Sequence, residues 1–149
     1  MPAIFDKLGV SFQYPENWTL DEQDVLAGRR SVTIYSPEGG FWSVAMDAPS
    51  ADPAQLAQAA LDALKQEYEG LEAEETRETV AGHELVGFNV NFFYLDLITT
   101  AGIRSLSIAR TTYIIYYQAE DREFQRIHRV FDAMTTSLLM GMPPAGKTL

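Results

Sequence analysis

The chain reads as α+β: a central antiparallel β-sheet flanked by helices on both faces, an α/β/α sandwich. Three observations predict it. The segments "NVNFFYLDL" and "TYIIYYQ" carry large apolar side chains on both parities, so a sheet built from them needs cover on both faces. Strand-like runs rich in β-branched and aromatic residues follow one another from Glu84 to Glu120, which predicts a meander. Two other stretches, within 50–70 and 121–138, place apolar residues at helical spacing.

Taken in order, "SFQYPENWTL" is a strand stopped by Pro15, turned through Glu16 and Asn17 and resumed at Trp18, because proline cannot donate to a sheet ladder. "SVTIYSP" alternates Val32 and Ile34 with Thr33 and Tyr35, and "EGG" turns it into "FWSVAMDA", which predicts a hairpin. In "SADPAQLAQAALDALKQEYEG", Asp52 is the expected N-cap, Pro53 suits the first helical position, Gln55 has capping-box spacing and Gly70 ends the helix. Its packed face is Ala57, Ala60, Leu61, Leu64 and Tyr68. "LEAEETRETV", with Glu72, Glu74, Glu75 and Glu78, is an edge strand whose charges discourage pairing with other chains. "AGHE" is a turn into the meander. In the last helix Phe124, Ile127, Phe131, Met134 and Leu138 form the apolar stripe, and Asp121 and Glu123 sit in the first turn.

With 149 residues and 46% hydrophobic composition the chain is expected to fold as one domain. A formal charge of -10 repels phosphates and anionic headgroups, so nucleic acid and membrane surfaces are not its expected partners. No stretch has the length of a membrane span, and the N-terminus lacks a basic segment followed by a long apolar run, which predicts a cytoplasmic protein; a secreted chain cleaved of its signal would read the same. The absence of cysteine excludes disulfides, thiolate metal sites and thiol catalysis.

"GMPPAGKTL", residues 141–149, matches the phosphate-loop pattern G-x-x-x-x-G-K-T. Such a loop works by joining a buried strand to a helix, so that backbone N–H groups converge on phosphate. Here the match follows a helix, carries prolines at 143 and 144 and has only Leu149 after it, so it is read as a flexible tail and not a nucleotide site. "HELVG" starts like a zinc-protease helix, but position 87 is glycine and the segment leads into a strand, so His83 is a strand-entry residue. His128 lies at the margin of the last helix's stripe. No G-x-S-x-G elbow occurs. No catalytic residue, cofactor or metal site is therefore assigned.

Two sets of residues are candidates for recognition. Arg122, Arg126 and Arg129 line the side of the last helix opposite its stripe, either as a solvated face balanced by nearby carboxylates or as a docking strip for an acidic partner. Among the aromatic residues, most of which belong in the core, Trp42, Tyr94 and Tyr113 are the candidates for lining a groove at an uncovered sheet end.

"SFQYPENW", the "SVTIYSPEGGFWSV" hairpin, a helix, the acidic strand ending in "AGHEL", the meander and the closing "FQRIHRVFDAMTTSL" helix together resemble the PsbP/Mog-like superfamily over Ile4 to Leu139. That superfamily includes the extrinsic oxygen-evolving protein of photosystem II, a Ran-binding import factor and many bacterial proteins of unknown role. The resemblance implies one PsbP/Mog-like domain over 4–140, with 141–149 as a tail, and a central antiparallel sheet between helices. It also implies no enzyme. No Ran-contacting position can be matched, so what it carries over is a scaffold or partner-binding module, expected to engage another protein; a small-molecule carrier with an aromatic-lined pocket is the alternative. Nothing in the pattern assigns an oligomeric state.

Overall fold

The structure is a computed structural model that describes residues 2–47 and 51–143. A small antiparallel sheet pairs β1 (Ala3–Lys7) with β2 (Val10–Tyr14). The main sheet contains β3 (Thr19–Asp21), β4 (Ser31–Tyr35), β5 (Phe41–Asp47), β6 (Glu72–Val80), β7 (His83–Tyr94), β8 (Leu97–Ile108) and β9 (Thr111–Glu120). Their spatial order is β3-β4-β5-β9-β8-β7-β6, antiparallel throughout. A short α1 (Gln23–Leu26) precedes β4, α2 (Pro53–Glu67) connects β5 to the edge strand β6, and α3 (Asp121–Met140) follows β9.

The two parities of the central strands part as the sequence predicts. Ile115 and Tyr117 of β9 stand opposite Val44 and Trp42 of β5 and bury toward α3, where Phe131, Met134 and Leu138 meet them. Ile114 and Tyr116 point the other way, into a second cluster with Ala57 and Leu61 of α2 and Val90, Phe92 and Ile103 of the sheet. Asp52 caps α2 by accepting from the Ala54 N–H at 3.3 Å. Glu120, just ahead of the predicted acidic first turn, caps α3 by accepting from the N–H groups of Arg122 and Glu123.

Roofing is incomplete at two opposite corners. A helix about 10–12 Å wide spans little more than two strands spaced about 4.8 Å apart, so one helix per face cannot cover seven. α2 packs on β7, β8 and β9, and leaves Tyr35 exposed on the same face of β4. α3 packs on β9, β8 and, beyond them, β2, and leaves Glu72, Glu74, Asn89 and Asn91 exposed on β6 and β7. The β1–β2 hairpin is an element the sequence pattern does not announce, since its first strand buries only Phe5. It extends the roof on the α3 side by packing the Phe12 ring, tilted, against Trp42 with centroids 4.8 Å apart.

Four hairpins close through two-residue turns, Leu8-Gly9, Ala81-Gly82, Leu95-Asp96 and Ala109-Arg110, with positive φ at both residues in every one. That is the signature of the type I′ turn, whose twist matches the strands and which favours Asn-Gly. Two of the four have no glycine. At Gly102 the reason for glycine is close approach: an added Cβ would lie 2.3 Å from Cζ of Tyr117.

Candidate functional site

The β7–β8 hairpin outruns its neighbours. The β6 ladder begins at Glu72 opposite Asn91, and the β9 ladder ends at Glu120 opposite Thr99, yet β7 and β8 continue pairing through Phe93↔Ile98 and Tyr94↔Leu97. Beyond the sheet those side chains are left largely open to solvent. Phe93 is 62% exposed, Tyr94 52%, Leu95 78%, Leu97 45% and Ile98 46%. An isolated exposed leucine is ordinary, whereas a contiguous apolar projection of this kind is a recognition feature.

The projection has two faces and an apex. Phe93 and Ile98 point to the α3 side, where Gly70, Glu72, Asn91 and Asp121 complete a recess of about 380 Å³. Asn91 donates to Thr100 Oγ1 at 2.9 Å, and Thr100 donates to Asp121 at 2.8 Å, which holds the recess wall in place. On the α2 side Tyr94 meets Tyr68 edge-on at 6.0 Å, and Tyr68 stacks on Phe92 at 4.2 Å. Desolvation, then the nearby Glu67 and Tyr94, raise the Tyr68 hydroxyl above its ordinary value, so the ring stays neutral. Leu95 and Asp96 form the apex. Glu72, Asp96 and Asp121 give the tip an acidic collar.

Of the residues singled out from sequence, only Tyr94 belongs to this tip. Trp42 is not a surface residue: it is wholly buried, and its Nε1 donates to Thr135 Oγ1 at 3.0 Å. Its position opposite Tyr117, under α3, places it in the core, where it cannot line a groove. Tyr113 is partly buried against the same core. The arginine strip is divided. Arg122 pairs with Glu120 at 3.1 Å and Arg126 with Glu38 at 2.8 Å, so the balancing carboxylates come from the helix cap and the β4–β5 turn. Glu123 instead is buried and accepts from Ser36 Oγ. Arg129 has no ion pair among the described residues.

Phe93, Leu95, Leu97 and Ile98 were not singled out by sequence reasoning. A signal was there: the apolar run "FFYLDLI" continues straight through the point where the chain reverses, and a turn normally carries polar residues or glycine.

A polar cleft of about 100 Å³ under α3 is structural. There the buried Arg104 donates to Glu78 at 2.8 Å, to Asn89 at 2.6 Å and to the carbonyls of Phe88 and Ile103, and its guanidinium lies 5.9 Å from the Tyr117 ring. Desolvation, eased by Arg104, pushes the Tyr117 hydroxyl up to about 12. Four of the five N–H donors of Arg104 are spent on these bonds, which tie β6, β7 and β8 together. His83 is buried at the start of β7, and His128 lies 3.8 Å from Asp132. Among the described residues no group of three or more histidine, aspartate or glutamate side chains converges as metal ligands would. The glycine-lysine match opens on Gly141, the C-cap of α3, and its lysine lies outside the described residues.

No protein-family model and no curated protein matches the sequence. Solved structures do. Cyanobacterial PsbP (CyanoP) from Synechocystis sp. PCC 6803 superposes with a TM-score of 0.63 at 12% identity, over 91% of this chain and 90% of that one. The Ran-binding protein Mog1p of Saccharomyces cerevisiae gives 0.56 at 10% identity over 95% and 92%. The chain has the PsbP/Mog-like fold. A Pseudomonas aeruginosa protein of unknown function, PA94, shares it with a TM-score of 0.59 at 10% identity over 92% and 95%. At such identities the PsbP/Mog-like fold carries no residue role from those proteins to this one. Among the described residues no helix is long and apolar enough to cross a membrane.

Proposed function

We propose that this chain is a non-catalytic protein-binding module that docks through the tip of the β7–β8 hairpin. The observation that supports it is the cluster of Phe93, Tyr94, Leu95, Leu97 and Ile98, all large, all apolar or aromatic and all at least 45% exposed, on one two-stranded projection. Burying one such side chain from full exposure contributes about 1.5–3 kcal/mol, so a few of them seated in a pocket supply the core of an interface. The collar of Glu72, Asp96 and Asp121 selects the rim of that pocket. A partner with an apolar cleft edged by lysine and arginine fits it, while an anionic lipid surface is repelled by the collar and by a net charge of -10. A Ran-binding protein on the same scaffold agrees with a module whose work is association.

Photo-crosslinking tests the reading. A benzophenone amino acid in place of Phe93, in the protein's native cells, is expected to trap a protein adduct that disappears when Leu95 and Ile98 are changed to aspartate. The same probe in place of Arg110, at the turn on the opposite end of β8, is expected to trap none. Equal adducts from both positions, or none from position 93, would refute tip docking.

A further inference from the structure

We infer a second, small-molecule site in the groove between β2 and α3, one that takes a carboxylate carrying an apolar tail. This groove lies outside the hairpin tip and does not depend on the docking reading. It measures about 320 Å³, and its walls are Pro2, Tyr14 and Pro15 on one side and Val130, Ala133 and Met134 on the other. Small ligands bind in concavities of about this size or larger, lined by apolar groups with a few polar ones that set orientation.

The polar groups here are few and specific. Ser137 Oγ accepts from the Gln13 N–H at 2.9 Å, which pins β2 against α3 and fixes the width of the groove. Arg129 supplies the charge. It is the member of the basic strip left without an ion pair among the described residues, in a chain with 21 acidic side chains, and it sits on the groove lining while Arg122 and Arg126 are neutralised by Glu120 and Glu38. A guanidinium presents a planar fork of donors that matches a carboxylate bidentately. An apolar cleft with one such fork at its lining therefore selects an anionic head and an apolar tail. Tyr14, which tilts against Phe12 at 6.2 Å, gives the tail a ring surface continuous with the core.

Octanoate is a suitable probe, followed by amide chemical shifts of the full chain. It is expected to shift residues 13–15 and 129–137 saturably. Arg129→Gln should weaken its binding at least fivefold, and octylammonium, with the same tail and opposite charge, should fail to saturate those residues. Ala133→Trp, which fills the groove, should abolish the shifts; if that variant misfolds, Ala133→Leu gives the same reading in weaker form. The inference is overturned if octanoate causes no saturable shift at these residues, if octylammonium binds them equally, or if Arg129→Gln leaves the affinity unchanged. Loss of octanoate binding leaves crosslinking from position 93 intact, and so the two sites fail separately.

Discussion

The turn at Leu95-Asp96 offers the sharpest test of whether the hairpin tip is built for binding. Both residues sit in the left-handed region, at φ 51° and 63°, and Leu95 is 78% exposed, so it gains almost nothing from packing in return. A side chain in that region costs about 1–2 kcal/mol, with aspartate among the better tolerated. Asn-Gly is what a type I′ turn favours. Replacing Leu95-Asp96 by Asn-Gly should therefore stabilise the chain by about 1–2 kcal/mol, and in a chain of this size each kcal/mol moves Tm by about 2–4 °C, giving about 2–8 °C in a thermal melt. The other glycine-free turn, Ala109-Arg110 at φ 49° and 70°, is the control. Its Asn-Gly variant should gain a similar increment. If the tip docks a partner, the first variant loses crosslinking from position 93 while the second keeps it, so one change raises stability and lowers function and the other raises stability alone. A Leu95-Asp96 variant that melts at or below the wild type would refute the strain argument, and one that is stabilised yet crosslinks as before would remove Leu95 from the docking surface.

Gly102→Ala places a methyl into the Tyr117 ring and should cost about 1–3 kcal/mol in chemical denaturation; combined with Tyr117→Leu, which clears the space, the losses should be less than additive. Trp42→Phe removes the donor to Thr135 Oγ1 and part of a fully buried ring, and should cost about 1–2 kcal/mol in the same assay without changing crosslinking at position 93, as befits a core residue. Asp132 has its pKa raised above the ordinary 3.8, chiefly by desolvation, with His128 opposing that and Glu78 adding to it. Its stabilising contribution is then complete below pH 3.8 and is lost as pH rises through the folded value. Asp132→Asn should consequently melt above the wild type near neutral pH, with the difference vanishing in acid; a difference independent of pH would contradict the assignment.

Local chemistry made much of the fold legible in advance. Asp52-Pro53 starts a helix because the carboxylate accepts an orphan N–H and the ring fits the first turn. The 3,4,3,4 spacing from Phe124 to Leu138 lays one stripe along α3, and the double parity of β9 sends Ile115 and Tyr117 one way and Ile114 and Tyr116 the other. Each of these follows from a period of 3.6 or 2 within one segment, so neighbours in sequence suffice to read it. Exposure is a different kind of quantity, because it depends on which strand ends first and which helix lies above. Trp42 and Phe93 are both large aromatics in strands, and only the pairing of β5 inside the sheet and the overrun of β7 beyond β6 and β9 bury the first and bare the second. The partners of Arg122 and Arg126, and the lack of an ion pair to Arg129 among the described residues, are likewise decided by which groups the fold brings close, Glu38 from 88 residues away among them. Periodicity determines what each segment is; the lengths of strands relative to one another, which no single segment records, determine what is left for another molecule to touch.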